Sequence, residues 1–233
     1  MSNKLCIIAA RGGSKRIPKK NIKLFLGKPI IEYSIETALK SKLFDEVMVS
    51  TDSNEIAEIA ISCGAKVPFI RSSKNSNDYS TTFDVINEVV SNYKLINREF
   101  EYTCCIYSCA PFITTQKLKE AFKMLVKGKF DSVFPVMPYS FPVQRSLLKN
   151  NKNKISFFYP EYSLSRSQDL EKSYHDAGQF YWLKTNICIN KKVTITQNSG
   201  CIVISEIEGQ DIDNEVDWII AELKFKLKKT LNN

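Results

Sequence analysis

Five short apolar runs, separated by stretches of helical periodicity, constrain the fold of the first 137 residues more than any single motif does. Residues 5–10, 47–50, 66–70, 102–107 and 131–136 have the length and β-branched content of buried strands. Pro29 suits the first turn of a helix running to residue 41, and Ile30, Ile31, Ser34, Ile35, Ala38 and Leu39 recur at helical spacing. Asp52-Ser53-Asn54-Glu55 opens a second helix that Gly64 is placed to end. Thr81-Thr82-Phe83-Asp84 opens a third, with a hydroxyl cap and a carboxylate in the first turn. A fourth spans residues 114–127. Strands alternating with helices of this length predict βαβ units, hence an α/β fold with a mostly parallel sheet and helices on both faces. Ligands of such sheets bind at the carboxyl ends of the strands.

The rhythm stops at residue 138. Residues 138–175 are rich in Ser, Tyr, Lys and Asn and carry the turn-like Asn150-Asn151-Lys152-Asn153-Lys154. They read as an inserted hairpin lobe, dividing the chain into an α/β domain of residues 1–137 and 176–233 and a lobe between. Strand-like order returns at Gln179-Phe180-Tyr181-Trp182 and Cys201-Ile202-Val203-Ile204, and a last helix starts near Asn214.

Charge narrows the function. Residues 1–31 contain eight Lys or Arg and no acid, an excess equal to the net +8 of the whole chain. A nucleic-acid binder spreads positive charge over a face or a tail; here it is focused on one loop, which argues against nucleic acid as the partner. No apolar stretch approaches the roughly 20 residues that span a bilayer, and the N-terminus lacks a signal-peptide layout, so a cytoplasmic protein without membrane attachment is expected. None of the seven cysteines forms a C-x-x-C, which leaves zinc and redox motifs without support. A single histidine, His175, excludes a multi-histidine metal site.

The focused charge lies in Ala10-Arg11-Gly12-Gly13-Ser14-Lys15-Arg16-Ile17-Pro18-Lys19-Lys20-Asn21, directly after the first strand. Adjacent glycines permit a sharp turn and close backbone approach, and the surrounding cations, hydroxyl and amide suit a polyphosphate. The Walker pattern fails, because Gly27-Lys28 is followed by Pro29, and G-x-G-x-x-G fails because Gly12 and Gly13 are adjacent. Far along the chain, alternation puts Asp211 and Asp213 on one side of an extended segment, an arrangement that suits a hard cation such as Mg²⁺ and equally a helix cap by Asp213 or Asn214. Arg71-Ser72-Ser73 with Asn77-Asp78-Tyr79-Ser80-Thr81-Thr82 offers a cation and hydroxyls at the ligand end. Tyr174-His175-Asp176-Ala177-Gly178-Gln179-Phe180-Tyr181-Trp182 offers rings and amides of the kind that recognise a sugar.

Ala9-Ala10-Arg11-Gly12-Gly13-Ser14-Lys15 with Lys20-Asn21, then Val49-Ser50-Thr51-Asp52, Gly64-Ala65, Phe69-Ile70-Arg71 and Asp211-Ile212-Asp213, resemble in order the motifs of the acylneuraminate cytidylyltransferase (CMP-sialic acid synthetase) family. The likeness spans nearly the whole chain. It implies a Rossmann-like sheet with a small dimerisation lobe, a homodimer, and Mg²⁺-dependent joining of a nonulosonic acid to CTP with release of pyrophosphate. The sugar half departs from the sialate pattern: Ile106-Tyr107-Ser108-Cys109-Ala110-Pro111-Phe112-Ile113 replaces L-Q-P-T-S-P-L-R, and His175-Asp176-Ala177-Gly178 stands where an arginine and Asn-Gly are usual. Arg166-Ser167-Gln168-Asp169-Leu170 and the segment from Tyr174 to Trp182 resemble instead the branch that takes pseudaminic acid, for a surface or flagellar glycan. Sialic, legionaminic and 3-deoxy-octulosonic acids are the competing substrates.

The resemblance implies residue roles. Ala10, Arg11, Gly12, Gly13, Ser14, Lys20 and Asn21 would hold the nucleotide, with Arg71 on the cytosine side. Tyr107, Arg166, Gln168, His175, Gln179 and Tyr181 would contact the sugar. Asp211 and Asp213 would hold Mg²⁺, and Arg11, Lys20 and Asp211 would carry the chemistry.

Overall fold

The computed structural model describes residues 3–231. Its strands are β1 Lys4–Ala9, β2 Leu24–Phe25, β3 Lys28–Pro29, β4 Glu46–Ser50, β5 Tyr102–Tyr107, β6 Ser132–Pro138, β7 Leu147–Lys149, β8 Ile155–Phe157, β9 Tyr174–Asp176, β10 Phe180–Lys184 and β11 Ser199–Val203. Its helices are α1 Ile30–Ser41, α2 Asn54–Ser62, α3 Thr82–Leu95, α4 Thr115–Lys127, α5 Thr185–Lys191 and α6 Glu215–Leu231.

The main sheet runs β11-β6-β10-β5-β1-β4, with β9 paired to β6. β1 lies parallel to β4 and β5, and β11 parallel to β6, whereas β10 runs antiparallel between β5 and β6. The sheet is therefore mixed and mostly parallel, and the fold is Rossmann-like. Both faces are covered. Cys6 and Ile8 of β1 pack with residues of α1, α2 and α4, while the alternate residues Leu5 and Ile7 pack with α3 and α5. That period-2 alternation between two apolar faces is why β1 reads as a continuous apolar run.

Local chemistry sets most boundaries. Pro29 stands just outside α1 as its N-cap residue, after a two-residue hairpin turn with Leu26 and Gly27 at positive φ. The Ser53 hydroxyl caps α2, and Thr81 with Asp84 forms a capping box at α3. The strand expected over residues 66–70 is reduced to two isolated bridges, Met48 of β4 with Lys66 and Thr51, just past β4, with Ile70. Pro68 between them has no N–H to give a ladder, and the segment lies at the sheet edge.

After β6 the chain leaves the sheet. β7 and β8 form a hairpin whose Asn150–Asn153 turn closes on an Asn150 N–H bond to the Lys154 carbonyl at 3.0 Å. Phe141, Leu147, Ile155, Phe158 and Leu164 of this segment are exposed. The chain rejoins at β9, where His175 stands opposite Met137. At the carboxyl side, α6 turns Trp218, Ala221 and Phe225 into a third core with Ile17, Phe25, Ile30, Phe112 and Ile212, tying the loop after β1 to the segment carrying Asp211 and Asp213.

Candidate active site

The carboxyl ends of β1, β4 and β5 open into a cleft of about 510 Å³. Arg11, Lys15, Arg16, Lys20 and Arg71 line it with positive charge, and Asp78, Asp211 and Asp213 with negative charge. Ser14, Thr82, Tyr107, Ser108 and Cys109 complete the wall.

The loop after β1 is held in place from below. The Gly12 N–H donates to Asp52 Oδ1 at 2.7 Å, and a Cβ at this position would stand 3.1 Å from Ser53 Cβ, so the chain passes the α2 N-terminus more closely than a side chain comfortably allows. The Gly12 amide is thus committed to Asp52, and Ala10 is buried with its N–H on the Ser50 carbonyl at 3.0 Å. Asn21 is also buried. Its Nδ2 donates to the Arg11 carbonyl at 2.7 Å, and its Oδ1 accepts from Ser108 Oγ at 2.7 Å and Cys109 Sγ at 3.2 Å. Asn21 fastens the loop to the end of β5, and the cations of the loop face the opening.

Those cations meet carboxylates from distant parts of the chain. Asp78 accepts from Arg11 Nη1 at 2.7 Å and Lys15 Nζ at 2.5 Å. These two bonds, with the attendant charges, hold its carboxyl below the ordinary value. Asp213 accepts from Arg16 at 2.7 Å, and Lys20 Nζ stands 3.9 Å from it while donating to the Ile212 carbonyl at 2.7 Å. Arg71 is buried, with its Nε donating to Ser50 Oγ at 2.9 Å and Nη2 to the Ser50 carbonyl.

The competing roles for the aspartate segment separate here. Asn214 Oδ1 accepts from the N–H groups of Val216 and Asp217 at 2.9 and 3.1 Å, so Asn214 caps α6 and the Asp213 carboxylate faces Arg16 and Lys20 instead. The Asp211 carboxyl is raised above its ordinary value, first by the partial desolvation of its place in the cleft and then because Asp213 is beside it, with Lys20 opposing. Among the described residues no three His, Cys, Asp or Glu side chains gather into a metal cage. Two carboxylates sharing a cation with phosphate oxygens and water is nonetheless the habit of magnesium, and the like-charge crowding at Asp211 is what such a cation relieves. The residue set fits a metal shared with a phosphate-bearing substrate.

On the other side, Tyr107 brings its hydroxyl to Thr82 Oγ1 at 2.9 Å. Tyr181 is buried behind Tyr107, with ring centroids 5.5 Å apart, and donates to Asp176 Oδ2 at 2.6 Å. Of the sugar candidates only Tyr107 lines the cleft; Tyr181 and the other four lie outside its lining. Gln179 is buried and donates to the Glu208 carbonyl at 2.6 Å. His175 sits on β9 with Nδ1 2.9 Å from the Asp176 carbonyl, and its ring lies 5.0 Å from that of Tyr139. Arg166 pairs with Asp169 at 2.7 Å in the lobe, and Gln168 shares that 3₁₀ turn. Burial pushes the Cys109 thiol up to about 11, which leaves it protonated and unsuited to nucleophilic work.

Two residues of the site had no individual signal in the sequence. Asp78 lies among the hydroxyls of a polar loop, and Asp52 reads as the start of a helix. Both act over long range, on Arg11 and Gly12, and no local pattern encodes those pairings.

Comparison with known proteins gives the family. A family model described as cytidylyltransferase matches residues 5–215. A pseudaminic acid cytidylyltransferase of Campylobacter jejuni subsp. jejuni serotype O:2 is 39% identical over 223 residues, 96% of each chain. A CMP-N,N'-diacetyllegionaminic acid synthase of Legionella pneumophila subsp. pneumophila is 31% identical over 97% of each chain. A structure of CMP:2-keto-3-deoxy-manno-octonic acid synthetase complexed with CTP covers 98% of this chain and 100% of its own, with a TM-score of 0.69 and 17% identity, and so shares the fold.

Proposed function

The chain belongs to the cytidylyltransferase family, and from that premise we propose that it joins pseudaminic acid to CTP, giving CMP-pseudaminic acid and pyrophosphate. The observation that carries the reaction is the opposition, across one cleft at the strand ends, of Arg11, Lys15, Arg16 and Lys20 to the carboxylates Asp211 and Asp213. The choice of sugar rests on the likeness to the Campylobacter enzyme over nearly the full length of both chains.

In this reading Arg11, Lys15 and Lys20 bind the triphosphate, and Ser14 adds a hydroxyl. Their charge offsets the negative charge that grows on the departing pyrophosphate, and the fixed loop backbone holds their stems at the cleft. Asn21 and Asp52 act through the loop, by holding the Arg11 carbonyl and the Gly12 amide. Arg71, anchored to Ser50, faces the cytosine side. The anomeric hydroxyl of the sugar attacks the α-phosphorus, and alignment of the two substrates supplies much of the rate. Asp211 and Asp213 would hold a magnesium ion, which would supply positive charge for the phosphate oxygens and ease ionisation of the sugar hydroxyl. Tyr107 and Thr82 present hydroxyls to the sugar side, backed by Tyr181 and Asp176. Arg166, Gln168 and His175 reach a sugar only if the segment from residue 139 to 178 closes over the cleft or a second copy completes it, and Gln179, buried against Glu208, acts from behind the wall.

The same reading makes the protein a cytoplasmic homodimer that pairs through the apolar surface of residues 138–175. No helix among the described residues is long and apolar enough to cross a membrane.

A sugar panel tests the proposal. The purified chain with CTP and Mg²⁺ is expected to release pyrophosphate fastest with pseudaminic acid, and slowly or not at all with sialic, legionaminic or 3-deoxy-octulosonic acid. A faster reaction with one of the others overturns the choice of sugar. No release with any of them overturns the transferase reading.

A further inference from the structure

We propose that Asp217 is a positioning residue for the metal pair: by taking the Asp213 amide, its carboxylate holds Asp211 and Asp213 in the arrangement that receives a divalent cation. This role rests on the Mg²⁺ reading above, which leaves Asp217 out.

The segment carrying the pair is fixed from one side by its own middle residue. Ile212 is buried in the third core, and alternation along an extended segment turns its two neighbours, Asp211 and Asp213, to the cleft. Lys20 Nζ holds the Ile212 carbonyl at 2.7 Å. Directly afterwards the chain has to enter α6, and the direction of the Asp213 carboxylate depends on how its backbone enters that turn.

Asp217 controls the entry. Asn214 caps α6, and Asp217 stands three residues further on, in the first turn. In a capping box the acidic residue at that position takes the amide of the cap residue. Asp217 Oδ2 does so, from the Asn214 N–H at 3.0 Å. The same oxygen also takes the Asp213 N–H, at 2.9 Å. Capping does not call for this second bond, because Asp213 lies outside the helix. Its effect is to fix the backbone of a residue whose carboxylate lines the cleft. Asp217 is itself held by α6, whose next residue, Trp218, is buried in the same core as Ile212. At the same turn Glu215 pairs with Lys23, from the segment after β1, at 2.6 Å. One helix start thus sets the aspartate pair against the segment that carries the cations. Oδ2 of Asp217 is spent on N–H groups, while its charge is felt at Asp211.

Binding of Mn²⁺ in place of Mg²⁺, in the presence of CTP and followed by the relaxation of water protons, tests this apart from turnover. Asp217→Ala is expected to weaken Mn²⁺ binding by about tenfold, the effect of losing one hydrogen bond to a charged acceptor. Asp217→Asn keeps an oxygen for the two amides and should stay within about threefold of the wild type. Asn214→Ala is the control: it removes the other half of the cap, lowers the urea midpoint about as much as Asp217→Ala, and leaves the Asp213 amide on Asp217. Its Mn²⁺ affinity should match that of the wild type. Asp217→Ser, polar but too short to hold the Asp213 amide, replaces Asp217→Ala should the latter not fold. Unchanged affinity in Asp217→Ala, an equal loss in Asn214→Ala, or a loss in Asp217→Asn as large as in Asp217→Ala each overturn the proposal. Asp211→Asn separates the two levels. If it binds Mn²⁺ as the wild type does, the metal reading falls and this role with it; if it loses Mn²⁺ while Asp217→Ala does not, only the role of Asp217 falls.

Discussion

Asp78 and Arg11 meet across the mouth of the cleft, carboxylate to guanidinium at 2.7 Å, and the same carboxylate takes Lys15 at 2.5 Å. Asp78 thus occupies two cations that the proposed triphosphate needs, and CTP must displace it. Such exposed pairs are weak and screened by salt. Asp78→Asn removes the competing charge while keeping the shape. It is expected to lower KM for CTP by about two- to five-fold, with the gain shrinking at high ionic strength. A titration of CTP at low and high salt checks this; a raised KM would mean that Asp78 aligns Arg11 rather than competing for it.

Lys20 and Asn21 are neighbours with different work. Lys20 Nζ points into the cleft, whereas Asn21 is buried and spends its amide on Arg11, Ser108 and Cys109. Asn21→Asp keeps the acceptor and loses the donor to the Arg11 carbonyl, and it buries a charge. Its expected cost is about 1–3 kcal/mol in stability, read by urea unfolding, together with weaker CTP binding. Lys20→Ala should leave stability nearly unchanged and cut kcat/KM by about 10²–10³, the usual effect of removing one preorganised contact to developing charge. An unchanged unfolding midpoint for Asn21→Asp would return that residue to the role of direct ligand.

Asp211 shows the signature of a group kept for function at a cost in stability. Partial desolvation and the neighbouring Asp213 raise its carboxyl above the ordinary value. A carboxyl raised on folding weakens the native state once the pH is high enough to ionise it. Asp211→Asn is therefore expected to melt at the wild-type temperature or above it, while losing most Mg²⁺-dependent pyrophosphate release. Calorimetry beside the activity assay tests both halves; a lowered melting temperature would make Asp211 a structural residue.

Local rules reach far in this chain and stop at identifiable places. The run at residues 5–10 reads as a strand because both of its faces are buried, and Thr81 with Asp84 reads as a helix start because a capping box needs only neighbours. Alternation of strands and helices could not reveal that β10 enters antiparallel between β5 and β6, since strand order is a property of the assembled sheet. Nor could it reveal that Pro68 would cost the segment from Lys66 to Ile70 its ladder. In the site, the cationic loop and the two aspartates were legible as residue types at telling spacings. Their partners were not: Arg16 with Asp213 and Gly12 with Asp52 are joined only once the chain has folded.

A pH effect on stability is expected from Glu46, far from the cleft. It lies at the start of β4 with its side chain 2% exposed, and accepts from Arg98 at 2.7 Å, Lys66 at 3.0 Å and the Tyr93 hydroxyl. Burial alone would raise its carboxyl; the three donors outweigh that and hold it below the ordinary value. A carboxyl depressed on folding stabilises the native state above its unfolded pKa of about 4.3, and that contribution disappears as the pH falls through the lower folded value. Glu46→Gln should therefore cost about 2–3 kcal/mol at neutral pH, the low end for a buried ion pair because Arg98 and Lys66 remain partly in water. The gap between wild type and variant should narrow as the pH drops below about 4. Urea unfolding at a series of pH values measures it, and a gap that stays constant into acid would assign the loss to packing and neutral hydrogen bonds instead of charge.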